Sequence, residues 1–148
     1  MNKEMLLQRL EEVEQLAQAG PWRRLLRNPL RYLGAMAYRR LFYPRFSAGL
    51  RQKAATFFGS EMEIDLPAAM DIFLLGAKTH DSEIRLSRFL IQRLEPGDAF
   101  VDVGAHFGFY TLLGALLCGE QGKVLALEAS PRSFFLLEKN VLPFPQVR

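Results

Sequence analysis

The stretch from Ala99 to Glu128 constrains the fold more than any other part of the chain. It reads AFVDV, then a loop with two glycines, an apolar run to Cys118, a stop at Gly119 and Gly122, and KVLALE. AFVDV and KVLALE are short apolar runs of the kind that form buried parallel strands. Parallel strands need a crossover between them, and the intervening run is long enough for one helix. Ser130-Pro131 opens a second helix, as an N-cap with Pro at the first helical position. Its expected buried face is Phe134, Leu137 and Val141, and Pro143 and Pro145 close it. The pattern is a βαβα unit of an open α/β fold, the first part of a parallel sheet. Such strands need neighbours and helices on both faces, and no further parallel strand is read here. The unit is therefore expected to need either more chain or a partner to complete its sheet.

Upstream the periodicities change. In residues 3–19, Leu6, Leu10, Val13 and Ala17 recur with helical spacing until Gly20-Pro21. Residues 22–53 interleave Arg with Trp, Tyr, Leu and Phe around Pro29 and Pro44, and predict two short basic amphipathic helices. AATFF-Gly59-Ser60-EMEIDL predicts a hairpin, with Met62, Ile64 and Leu66 alternating against Glu61, Glu63 and Asp65. Asp81 starts a helix with Leu86, Phe89, Leu90 and Leu94 as its expected apolar face, and Glu95-Pro96-Gly97-Asp98 is a turn. Two domains are expected: a helical basic segment over 1–53 and an α/β part over 54–148.

The charge follows this division. The net charge is only +3, yet residues 15–60 carry nine basic residues and no acid. Within it, residues 22–53 read as a solvated helical face packed on its neighbour, or as a peripheral contact with an anionic membrane surface. No RNP, KH or zinc-finger pattern accompanies it, so no nucleic-acid partner is expected. The longest apolar run, Phe107 to Cys118, falls short of the ~18 residues that suggest a membrane span. The charged N-terminus has no signal-like apolar region. A single Cys and two isolated His exclude an internal disulfide and a zinc cluster, and no metal is expected. The expected location is the cytoplasm, with membrane association through the basic segment as an addition.

The chemistry is concentrated in Val101-Asp-Val-Gly-Ala-His-Phe-Gly-Phe-Tyr-Thr111. Gly104 and Gly108 flank a strand-to-helix turn, where backbone N–H groups are expected to face a ligand and a missing Cβ allows close approach. Glu128 ends the next strand, where nucleotide-binding α/β folds place an acid on a ribose diol. A dinucleotide fingerprint would have a glycine where His106 stands, and Asp102 would repel a pyrophosphate. S-adenosylmethionine carries a sulfonium and an ammonium instead, which favours it over NAD. For Asp102 a capping role in the turn remains open, as does a solvated position for His106 and simple packing for Tyr110. Cys118 is expected to pack.

GDAFVDVGAHFGFYT followed by GKVLALEASPRSFFLLEKNV resembles the FkbM-type S-adenosylmethionine-dependent methyltransferases. Their signature is similar to VDVGAN-x-G-x-YT, an acid–Pro pair and a helix ending L-x-x-N. The resemblance covers roughly residues 54–148, and TFFGSEMEIDLP and SEIRLSRFL look like the lead-in of such proteins. It implies a partial class I Rossmann-like methyltransferase fold and methyl transfer to a hydroxyl of a sugar, lipid or secondary metabolite. By this resemblance Asp102, Gly104, Ala105, His106 and Gly108 line the methionine end of the cofactor, and Glu128 binds its ribose. Tyr110 and Thr111 match the family's YT pair, and Glu83 matches an upstream acid implied to reach the cofactor. His106 stands in place of the family's Asn, and Ala129 in place of its Pro. No catalytic base is identified. The rival to an enzyme is a non-catalytic binding module acting at a membrane or acidic partner through residues 22–53.

Overall fold

The computed structural model describes residues 2–46 and 49–148; Ser47 and Ala48 of the basic segment, and the side chain of Arg24, lie outside the described residues. The chain divides into two compact units, residues 2–7 with Arg85–Arg148, and Gln8–Ile84. The expected boundary at residue 53 falls inside a strand. The N-terminal helix α1 (Lys3–Gln18) buries Leu6, Leu10 and Val13, as its spacing predicts.

In the unit Gln8–Ile84, helices α2 (Pro21–Arg27) and α3 (Pro29–Ala37) meet at Asn28. Each begins with proline, and the Asn28 side chain caps α3 by accepting from the Arg31 N–H at 3.1 Å. The chain continues through a wider π-type turn (Tyr38–Phe42) into α4 (Tyr43–Phe46). Strands β1 (Leu50–Ala55) and β2 (Glu61–Leu66) then form an antiparallel hairpin closed from Ala55 to Glu61. Its turn is longer than the Gly59-Ser60 pair, because the Thr56 hydroxyl and N–H both bond to the Ser60 carbonyl. Met62, Ile64 and Leu66 are buried as the period-two pattern predicts, but Asp65 on the alternate positions is buried as well. Helix α5 (Met70–Leu75) ends at Gly76 with φ 79°, and a Cβ there would meet the Ala55 carbonyl oxygen at 3.0 Å.

Helix α6 (Asp81–Arg93) leads to the other unit's sheet. Its buried residues are Ile84, Ser87, Leu90 and Ile91, whereas Leu86 and Phe89 are exposed, which corrects the expected face. Strands β3 (Ala99–Val103) and β4 (Lys123–Leu127) pair in parallel, joined by α7 (Phe109–Cys118) and followed by α8 (Pro131–Val141). The α7 helix is buried along nearly all its length, and Gly114 lets β3 approach it. A Cβ at Gly114 would lie 2.4 Å from the Phe100 ring. On α8 the buried residues are Ser133, Leu136, Leu137 and Asn140; Phe134, expected inside, is exposed.

Two further expectations are corrected at the sheet. A third parallel segment does exist, because Val147 bridges Val124 on the free edge of β4. Val124 N–H donates to Gln146 O, Arg148 N–H to Val124 O, and Ala126 N–H to Arg148 O. The strands are also not buried on both faces. Val101, Val103, Leu125 and Leu127 are exposed, Val103 by 76%. The fold is α/β, a partial Rossmann-like parallel sheet, preceded in sequence by a basic helical segment and a β-hairpin.

Candidate functional site

The candidate site lies at the carboxyl ends of β3 and β4, where open α/β sheets bind their ligands. Val103 and Leu127 are paired there, and the loop to α7 starts at Gly104 with φ 77°. The loop doubles back over the end of β4. Leu127 O accepts from the N–H groups of Gly104 and Ala105 at 2.8 and 3.0 Å, and Ala105 O accepts from Gly108 N–H at 2.8 Å. The His106 N–H donates to Glu128 Oε2 at 2.7 Å. These four donors therefore turn inward, which corrects the expectation that they face a ligand. An amide cradle for a pyrophosphate is not what these residues build.

The two glycines have different duties. Gly108, in the left-handed region at φ 90°, is buried, and a Cβ on it would come within 2.7 Å of the Leu137 methyl. Its missing side chain serves the packing of α7 against α8. Around Gly104 a Cβ would meet nothing, so this is the position that leaves the loop surface open to a ligand. His106 also has a left-handed backbone, φ 53°. Asn and His are among the residues that enter this region most readily, which explains why His can stand where the resembling family has Asn.

Asp102 points into the unit, 9% exposed, and accepts from the Thr111 hydroxyl at 2.6 Å. Thr111 is fully buried in the first turn of α7, so it holds Asp102 rather than facing solvent. Tyr110 is buried edge-on against Phe109, with ring centroids 5.3 Å apart, and Ala105 is buried. Glu128 is half-buried at the end of β4. Its Oε1 accepts from Ser130 N–H at 2.8 Å, so one carboxylate ties together the loop and the start of α8. The N–H of Ser130, then that of His106, holds the Glu128 carboxyl below the usual carboxylate range, although its partial burial opposes them. Glu83 belongs to the other unit, where it pairs with Lys78 at 3.3 Å.

Sequence reasoning gave Asn140 no role. Its buried Nδ2 donates to Phe107 O at 2.8 Å and pins the loop to α8. A polar residue ending the apolar face of a helix was the available signal, together with the L-x-x-N ending of the resembling family.

No protein-family model matches the chain. Curated proteins do. Over 62 residues it is 40% identical to a protein of Sulfolobus acidocaldarius described as "Probable cobalt-precorrin-6B C(15)-methyltransferase (decarboxylating)". It is 39% identical over 62 residues to the protein of the same description from Sulfurisphaera tokodaii. The likeness is to methyltransferases. Each match takes in 42% of this chain and 32% of the relative, so the chain matches about a third of the length of these proteins. This homology supports a methyltransferase relationship and does not single out the FkbM type.

Proposed function

We propose that this chain carries the S-adenosylmethionine-binding part of a methyltransferase. The observation that carries the reading is Glu128, fixed at the carboxyl end of β4 beside the open Gly104 turn. Each Glu128 oxygen accepts one backbone N–H and keeps lone-pair capacity for a ribose hydroxyl, so the acid fits a cofactor diol. The inward-turned amides suit a ligand without phosphates. Asp102 supplies negative charge near the loop, favourable to a sulfonium and an ammonium. Gly104 and His106 would lie against the methionine end, while Ala105, Gly108, Tyr110 and Thr111 support the loop from within. When bound, the cofactor supplies an electrophilic methyl group. The chain's residues bind and orient it and help exclude water.

The finer reading is an FkbM-type enzyme that methylates a hydroxyl of a sugar, lipid or secondary metabolite. It rests on the VDVGAHFGFYT loop and the L-x-x-N helix. The curated relatives are described as C(15)-methyltransferases, so a carbon acceptor is the competing outcome. Calorimetric titration with S-adenosylhomocysteine tests the cofactor assignment. Saturable binding at micromolar affinity, weakened at least tenfold in Glu128→Ala, is expected. Absence of binding by a chain shown to be folded by circular dichroism would end the reading.

A second reading concerns the basic segment as a peripheral membrane contact. Trp22, Leu26, Leu30, Leu33, Phe42 and Phe46 are all exposed, Leu30 by 85%, in a region that contains no acid. Large apolar side chains among arginines suit the interface of an anionic bilayer. Among the described residues no helix is long and apolar enough to cross a membrane. Trp22 is the sole Trp, so its emission reports on the segment directly. A blue shift with phosphatidylglycerol vesicles and none with phosphatidylcholine is expected; equal, negligible response to both removes this reading.

A further inference from the structure

The unit Gln8–Ile84 contains a cleft of about 410 Å³, in the size range of small-molecule sites. Its walls come from α1, the α2–α3 joint, the end of β1 and α5. Three of its lining side chains are arginines, Arg9, Arg27 and Arg31, and one is an acid, Glu12. Two of the arginines are fixed in place. Arg31 Nη2 donates to Lys53 O at 3.1 Å and its guanidinium carbon lies 4.0 Å over the Phe73 ring. Arg9 Nη1 donates to Phe57 O at 3.4 Å.

These partners are neutral. A carbonyl or an aromatic face orients a guanidinium without cancelling its charge, and each guanidinium has five N–H donors to offer. Among the described residues no carboxylate, Glu12 included, comes within ion-pair distance of Arg9, Arg27 or Arg31. Burial also pulls the Arg31 guanidinium below its ordinary pKa, a desolvation that no anion here offsets. The cleft thus holds two more positive than negative charges, around a half-buried aromatic ring. A monoanion would leave one of these charges unanswered. A phosphomonoester carries close to two negative charges above its second pKa, and its oxygens match the guanidinium fork.

We propose that this cleft binds the phosphomonoester group of a small molecule or lipid, held by Arg9, Arg27 and Arg31, with an apolar or ring portion against Phe73. Its lining residues all belong to the unit Gln8–Ile84, and nothing in the methyltransferase reading requires it.

Calorimetry of the full chain with phenyl phosphate at about pH 7.5, where this ester is mainly dianionic, tests the proposal. Saturable binding is expected, weakened at least fivefold in Arg27→Gln and in Arg9→Gln. Phenyl sulfate, a monoanion of similar shape, should bind at least fivefold more weakly than phenyl phosphate. The Arg27 side chain makes no hydrogen bond or ion pair among the described residues, so Arg27→Gln is the variant expected to fold normally; a circular dichroism spectrum and S-adenosylhomocysteine titration like those of the wild type would verify this. A second arm uses phosphatidic acid vesicles against phosphatidylserine vesicles of equal surface charge. Preference for phosphatidic acid that Arg27→Gln removes would support the site and assign it to a lipid. Equal binding to both vesicles, with no saturable phenyl phosphate binding, would overturn it. So would phenyl phosphate binding that neither substitution alters.

Discussion

Replacing Thr111 by Val would isolate the contact that holds Asp102 beneath the loop. The side chains have nearly the same shape, and both suit a buried helical position, so the main loss is the hydroxyl. In the wild type that hydroxyl donates to Asp102 Oδ2 at 2.6 Å with both residues buried. A hydrogen bond to a charged group contributes about 1.5–3 kcal/mol, and a methyl group placed against the carboxylate cannot replace it. Thr111→Val should therefore destabilise the chain by about 2 kcal/mol. With a urea slope of about 2 kcal/mol per molar, the unfolding midpoint should fall by about 1 M. Thr111→Ser, which keeps the hydroxyl and loses a buried methyl, should fall by about half as much. S-adenosylhomocysteine affinity should drop with Thr111→Val and stay near wild type with Thr111→Ser. A Thr111→Val midpoint unchanged from wild type, or a larger loss in Thr111→Ser, would refute the role given to this bond.

The left-handed backbone of His106 predicts that His106→Val costs about 1–2 kcal/mol in thermal or urea unfolding, while His106→Asn is neutral or slightly stabilising. Gly108→Ala should destabilise by about 2–3 kcal/mol through both its positive φ and its approach to Leu137. Gly104→Ala, with open space around it, should cost only about 1 kcal/mol in the same assay, and on the proposed cofactor reading should weaken S-adenosylhomocysteine binding more than Gly108→Ala does relative to its stability loss. The lowered pKa of Glu128 means that its stabilising effect is fully present above the unfolded value, about 4.3, and is lost as pH falls through the folded value. The difference in Tm between wild type and Glu128→Gln should accordingly be widest near neutral pH and shrink on acidification. A gap that widens below pH 4 would contradict the sign.

The strand–loop–helix–strand core was legible because two separated signals agreed, apolar strand runs and a glycine-bearing link with Ser130-Pro131 behind it. The helix faces were less so. In α8, Phe134, Phe135, Leu136 and Leu137 occupy more than one full turn, so their pattern cannot fix which side turns inward. The choice is made by tertiary contacts, with Leu137 packed at Gly108 and Asn140 bonded to Phe107 O. A similar ambiguity shifted α6, where apolar residues at 84, 86, 89, 90, 91 and 94 leave two phases open. The third parallel segment was hidden by Pro143 and Pro145, which read as a terminator, although its ladder needs only the amide of Arg148 and the carbonyls of Gln146 and Arg148. At the loop, the residue types were readable but the direction of the amides was not, because it depends on Leu127 O lying within reach.

The uncovered sheet face has a practical consequence for anyone handling the folded chain. Val101, Val103, Leu125 and Leu127 form an aliphatic platform in the native state, not one revealed by loosening. Fluorescent dyes such as ANS, commonly used to detect molten states, should bind it without any denaturant. Their signal should then fall rather than rise when urea disperses the two strands. Bright dye fluorescence here would be a mark of intact folding, and retention on hydrophobic-interaction resin would follow the same surface.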